Sequence, residues 1–180
     1  MIISSFNIRG LGGLSKFTSL KRLLAGIHPD ILYVQETMSS TSMAISYFLR
    51  LFLGWEVSAM DASSSSGGIL CIWNPMVCDL RAYSTVAGLL LIGRLRGCNS
   101  ECKILNVYGP YKNRTIFWDW LDASGLLHDP GLLLLGDLNF TLSPTEVWGT
   151  AVWDPLMEYF NTMLRENGLI DLRLVVLGPT

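Results

Sequence analysis

The sequence has no apolar run long enough to cross a bilayer: Arg50 breaks "MAISYFLRLFLGW" and Arg94 ends "AGLLLIG", both short of the roughly 18 residues a span needs. It also lacks a basic N-terminal segment leading into an apolar stretch and a small-residue cleavage site, so an intracellular, soluble protein is expected and membrane partners are not. Nucleotide-binding glycine patterns are missing too. The one glycine-rich turn, "RGLGG", satisfies neither G-x-x-x-x-G-K nor G-x-G-x-x-G, which disfavours a nucleotide cofactor. Cysteines are few, at 71, 78, 98 and 102, and only "CNSEC" approaches a metal-ligand spacing. With no second close pair and no nearby histidine, reduced thiols packed as small apolar groups are expected in place of zinc. Histidine is scarcer still, with only His28 and His128.

Charge is low as well. Charged residues make up 16% of the 180 and apolar residues 50%, which is the composition of one core-heavy globular domain and not of a disordered chain. The net charge of −2 argues against a protein that coats nucleic acid without specificity. Its distribution is uneven: residues 1–100 hold eight Lys/Arg against five Asp/Glu, residues 101–180 five against ten. A carboxylate-rich half beside a basic half suits metal-assisted phosphate chemistry, though polar surfaces also divide this way by chance.

What the chain does contain is alternation. "MIISSFNI" reads as a strand entering the "RGLGG" turn, and "SKFTSLKRLLAGI" as a helix with Ser15 as its N-cap and Phe17, Leu20, Leu23, Leu24 and Ile27 on one face. "ILYV" predicts a strand running into "QET", and residues 42–53 a second helix with Ile45, Phe48, Leu49 and Phe52 inward. From Trp55 the runs "WEVSAM", "GGILCIWN", "DLRAYST" and "LLLIGRL" have the texture of an antiparallel meander, with "SSSSGG" as an exposed loop. "CKILNVYG" and "GLLLLGDLNF" read as strands, the second a buried one. "NRTIFWDWLDASGLL" and "DPLMEYFNTMLRENGL" read as helices, and "IDLRLVV" as a final strand. The class is α/β, or α+β: a layered sandwich with helices outside and sheet inside.

Several strands end on polar side chains: Asn7, Glu36, Tyr108, and the pair Asp137 and Asn139. Residues two apart on an extended chain face the same side, so Asp137 and Asn139 are expected to converge at a strand end. Each of these residues also has an ordinary reading as a turn former or a solvated strand end. Together they supply hard oxygen ligands and hydrogen-bonding groups for one magnesium ion and a phosphate. Phe117, Trp118 and Trp120 read as helix packing before a base-stacking platform, because no basic stripe accompanies them. Arg9 and Arg114 are either phosphate contacts or solvated loop residues, and Asp171 reads as structural.

Five blocks in order, "SFNIRGLG", "PDILYVQET", "GGILCIWN", "LNVYGPYKNRTIFW" and "LLLLGDLNF", resemble the endonuclease/exonuclease/phosphatase superfamily. Within it they are most similar to the apurinic-type endonuclease domain of plant LINE-type (non-LTR) retrotransposons. The resemblance implies a four-layered α/β sandwich that hydrolyses a DNA strand with Mg2+ (or Mn2+). It also implies a nuclear location if active and a reverse transcriptase domain downstream. Glu36 then resembles a metal-binding glutamate, with Asn7 beside it in the metal and phosphate shell. Tyr108 resembles a contact to the scissile phosphate, Asp137 the aspartate that orients water, and Asn139 its partner on the phosphate or base side.

The superfamily's closing serine-aspartate-histidine block has no counterpart here, since both histidines lie in earlier loops. The chain is therefore expected to be a single domain lacking its C-terminal portion, with an exposed sheet edge and poor solubility, binding metal weakly and cutting DNA little or not at all. The alternatives are a non-catalytic retroelement remnant, or a superfamily phosphatase acting on inositol phosphates or lipids.

Overall fold

The computed structural model describes residues 1–61, 67–146 and 153–172. They cluster into two compact units, Met1–Tyr108 with Gly131–Leu138, and Gly109–Pro130 with Asn139–Thr180.

The first unit holds eight strands and two helices. β1 (Ile3–Asn7), α1 (Leu14–Ile27), β2 (Ile31–Gln35), α2 (Thr41–Leu49), β3 (Glu56–Met60) and β4 (Ile69–Trp73) come first. β5 (Cys78–Ser84), β6 (Gly88–Leu95), β7 (Glu101–Tyr108) and β8 (Leu132–Asp137) follow. The strands form two four-stranded sheets, ordered β1-β2-β4-β3 and β5-β6-β7-β8. Each is mixed, with one parallel pair at an edge: β1 with β2, and β7 with β8.

Alternation assigns the faces. Ile31, Tyr33, Ile69, Cys71 and Trp73 of the first sheet meet Leu80, Leu89, Leu91 and Ile104 of the second in one buried layer. Leu32, Val34, Leu70 and Ile72 point the other way, onto Leu20 and Leu24 of α1 and Ala44 and Phe48 of α2. β2 and β4 are thus covered on both faces, which is why every one of their residues is buried. Full burial of a side chain such as Phe48 contributes about 1.5–3 kcal/mol. Two of the four thiols pack as expected, whereas Cys98 is exposed and Cys102 half-buried; burial pushes the Cys71 thiol far up and the Cys78 thiol up to about 11, so both stay protonated at neutral pH.

Several expectations need correction. α1 begins after Gly13, whose φ of 54° suits glycine, so Ser15 lies inside the first turn and caps nothing. α2 starts one residue early, with Ser40 Oγ accepting the Met43 N–H, and ends at Leu49, leaving Leu53 exposed. The meander is broken after β4: the turn in which Val77 and Cys78 N–H groups donate to Asn74 O carries the chain from the first sheet to the second. β8 is an edge strand, and its four leucines are half-buried where a buried strand was expected. Gly67 and Gly68 are buried and accept backbone bonds from Met38 and Thr37, so the end of "SSSSGG" is structural; Ser63–Ser66 lie outside the described residues. Ile170–Leu172 form no strand, and the rest of the expected final strand is also outside them.

The second unit contains α3 (Arg114–Ala123), α4 (Met157–Glu166) and two single 3₁₀ turns, Leu126–His128 and Pro144–Glu146. Its core is aromatic. Trp118, fully buried, sets its ring edge-on to Phe117, Phe140 and Phe160, and Phe140 stacks on Phe160 at 4.1 Å. The packing role expected of this group holds for Phe117 and Trp118, whereas Trp120 is exposed.

Candidate functional site

The inter-sheet layer of the first unit turns polar at one end. The inward positions of β1 run Ile3, Ser5, Asn7, those of β7 Ile104, Asn106, Tyr108, and those of β8 Leu133, Leu135, Asp137. In β2 they run Ile31, Tyr33, Gln35. Apolar side chains therefore give way first to Ser5, Gln35 and Asn106, and then to Asn7, Tyr108 and Asp137 at the carboxyl ends of the two parallel pairs.

Glu36 reaches the same place by breaking the alternation. An extended backbone through position 36 would send the side chain toward the helices, alongside Leu32 and Val34. Instead Glu36 has φ 53°, a left-handed conformation costing about 1–3 kcal/mol for a residue other than glycine. Neighbouring backbone enforces it: Gly10 N–H donates to Glu36 O at 2.6 Å, Leu11 N–H to Thr37 O, and Thr37 and Met38 N–H groups to Gly68 and Gly67. Lys16 Nζ fastens the turn from the other side, donating to Arg9 O and Gly10 O at 3.0 and 2.8 Å.

The result is a tight cluster. Asn7 Nδ2 donates to Glu36 Oε1 at 2.9 Å and to Asp137 Oδ2 at 2.6 Å, and the Tyr108 hydroxyl donates to Glu36 Oε1 at 2.9 Å. Glu36 is 5% exposed, while Asn7, Tyr108 and Asp137 are half-buried. Four of the five residues singled out in the sequence are brought together. Asn139 belongs to the second unit. There it has φ 54°, its amide donates to Gly109 O, and its carbonyl accepts from Arg114 Nη1. The extended geometry that would pair it with Asp137 therefore ends at Asp137.

Arg114 is neither solvated nor directed at solvent. It makes a bidentate pair with Asp154 at 2.6 and 2.7 Å and lies over the Phe160 ring. The guanidinium holds the Asp154 carboxyl below the usual carboxylate range. Asp171 is exposed. His28 ends α1, just before β2 begins, a strand's length from Glu36, and His128 lies in a 3₁₀ turn of the second unit.

A family model described as "Endonuclease/Exonuclease/phosphatase family" matches residues 4–162. The chain belongs to the endonuclease/exonuclease/phosphatase family. No curated protein sequence matches it. Among solved structures it is similar to the endonuclease domain of TRAS1, a telomere-specific non-LTR retrotransposon, with TM-score 0.64 and 15% identity over 91% of this chain and 70% of that one. The 3′ phosphatase NExo from Neisseria, bound to a product DNA hairpin, gives 0.65 and 16% over 92% and 70%. An AP endonuclease from Archaeoglobus fulgidus gives 0.64 and 18% over 92% and 71%. At these identities the likeness is one of fold.

Enzymes of the endonuclease/exonuclease/phosphatase family generally use divalent metals. Among the described residues no group of three or more His, Cys, Asp or Glu side chains converges. Two carboxylates do, and the amide they share keeps their oxygens no farther apart than its two hydrogen bonds laid end to end. Oxygens bound to one Mg2+ lie about 3–4 Å apart, and that ion takes one or two carboxylates with water and phosphate oxygens, so the donor set fits. Asn7, expected as a ligand, stands between the two carboxylates. Its nitrogen faces the carboxylates while Oδ1 accepts the Arg9 N–H, so it ties the pair together, and the amide turned by half a rotation would present oxygen.

Proposed function

We propose that the first unit carries a metal-assisted phosphodiesterase site of the retrotransposon-endonuclease type, with DNA as substrate. The observation that carries this reading is the convergence of Glu36 and Asp137 from different sheets onto one Asn7 amide, beside Tyr108. Glu36 and Asp137 are the residues that would hold Mg2+ or Mn2+, which supplies positive charge against the phosphate. Asp137 aligns the attacking water and draws on its proton, Asn7 holds both carboxylates in place, and Tyr108 aims its hydroxyl at a phosphate oxygen. The chain acts as one domain.

The proposal includes a low rate. His28 is separated from the cluster by the length of β2, so no histidine of the first unit stands beside it as a general base. Manganese binding followed by electron paramagnetic resonance, together with nicking of supercoiled plasmid, tests both parts. One Mn2+ site, lost in Glu36→Gln and Asp137→Asn, is expected, with nicking within about tenfold of the Asp137→Ala background. Unchanged Mn2+ binding in both variants would overturn the site. Vigorous Mg2+-dependent nicking abolished by Asp137→Ala would overturn the low rate and uphold the class.

A further inference from the structure

Directly beneath the proposed site lies a polar pair that the chemistry does not use. Gln35 is 1% exposed and Asn106 fully buried, at the end of a layer of hydrophobic side chains. Gln35 Nε2 donates to Asn106 Oδ1 at 2.6 Å and to Ser5 Oγ at 3.1 Å. Asn106 Nδ2 donates to Leu70 O at 3.2 Å and contacts Cys71 Sγ at 3.6 Å. This small network joins β1, β2 and β4 of one sheet to β7 of the other.

Stability alone does not explain it. Replacing a satisfied buried polar pair by apolar groups of the same shape is often neutral or stabilising, so the amides add little to the fold that leucine and methionine would not. Direction is what they add. Apolar packing between two sheets is non-directional and resists a slide of a few tenths of an ångström only weakly, whereas a hydrogen bond fixes both length and angle. The placement matches that use. Gln35 immediately precedes Glu36, and Asn106 stands two residues before Tyr108, on the same inward row. β6 seats the Asn106 backbone as well, since a Cβ at Gly88 would fall 2.0 Å from Asn106 O.

We infer that Gln35 and Asn106 are positioning residues: their amide-to-amide bond sets the two sheets at the spacing that lets Glu36 and Asp137 bind one divalent cation. This rests on the metal-site reading above. Ligand-orienting groups outside the coordination sphere typically change metal affinity about 10–100-fold when removed, which sets the expected size.

The test is a shape-matched double variant of the full chain, Gln35→Met with Asn106→Leu, measured by metal-free thermal unfolding and by Mn2+ titration with paramagnetic-resonance detection. The expected result is a melting temperature close to wild type with Mn2+ affinity weakened about 10–100-fold. Wild-type Mn2+ affinity in the folded double variant would overturn the inference. If that variant fails to fold, the exchange variant, Gln35→Asn with Asn106→Gln, decides. It keeps both amides and their combined volume while shifting the bond by one methylene. Weakened Mn2+ binding there supports positioning, and unchanged binding refutes it. Glu36→Gln separates the two levels: if it binds Mn2+ as well as wild type, the site reading itself fails and this inference falls with it.

Discussion

The carboxylates of Glu36 and Asp137, one from each sheet, both accept hydrogen bonds from the Asn7 amide, at 2.9 and 2.6 Å. The two carboxylates share that donor, and a cation between them would serve the same end. Asn7→Asp removes the donor and adds a third carboxylate. Without metal at neutral pH it should cost about 1–3 kcal/mol. For a chain of this size that lowers the melting temperature by roughly 2–10 °C. Saturating Mg2+ should narrow the gap, because a cation bound only by the folded state stabilises it by mass action. An equal loss with and without Mg2+ would show that no cation is held there.

Gly136, immediately before Asp137, tests how tightly the β7–β8 pair is built. It has φ 122°, and a Cβ on it would lie 2.0 Å from Val107 O. Gly136→Ala should cost about 3 kcal/mol or more, combining a backbone conformation closed to alanine with a clash against backbone that cannot swing away. Gly12→Ala, where an added Cβ meets nothing within 4 Å, should stay within about 0.5 kcal/mol. Urea unfolding of the pair checks this, and similar midpoints for the two would contradict the close approach.

The ends of β1, β2, β7 and β8 were legible because apolar runs stop on polar side chains there, and alternation does the rest for Asn7, Tyr108 and Asp137. Glu36 lies outside that logic. Alternation alone would face it away, and only its left-handed backbone, set by contacts from residues 10–11 and 67–68, brings it in. Nothing local in "VQET" announces such a turn. Gln35 and Asn106 carry a signal of their own, a polar residue on the inward row of "ILYVQ" and of "KILNVY". Asn139 lies past the end of the strand: β8 stops at Asp137, and position 139 is left-handed, which alternation in "LLLLGDLNF" does not announce. Half-burial of β8 depends on its place at a sheet edge, which four consecutive leucines do not reveal.

In the second unit, Trp118 is fully buried with Phe117, Phe140 and Phe160 around it, yet its Nε1 has no hydrogen-bond partner among the described residues. The side chain therefore works by volume and ring contact. Trp118→Ala should cost about 3–5 kcal/mol, and Trp118→Phe well under half of that, since the N–H it removes makes no bond. Denaturant midpoints of the two variants measure the difference, and equal losses would mean that the indole nitrogen is bonded after all.

The Arg114–Asp154 pair predicts how the protein responds to acid. The guanidinium, and next the Leu156 N–H, hold the Asp154 carboxyl below its unfolded value of about 3.9. Above that value both folded and unfolded states carry the charge, and the pair contributes in full. Once the pH falls below about 4 the unfolded chain takes up the proton first, so stability declines until the folded carboxyl is protonated too. Arg114 moves the opposite way, upward, and its contribution is lost only in strong alkali. Asp154→Asn should thus lower stability by about 1–3 kcal/mol at pH 7, by weakening a bidentate pair that also holds the Asn139 carbonyl through Arg114. The gap between variant and wild type should stay constant from pH 7 to about 5 and close progressively below about 4. Urea unfolding across that range measures it directly. A gap that persists unchanged in acid would mean that Asp154 acts through its hydrogen bonds alone and that its charge contributes nothing.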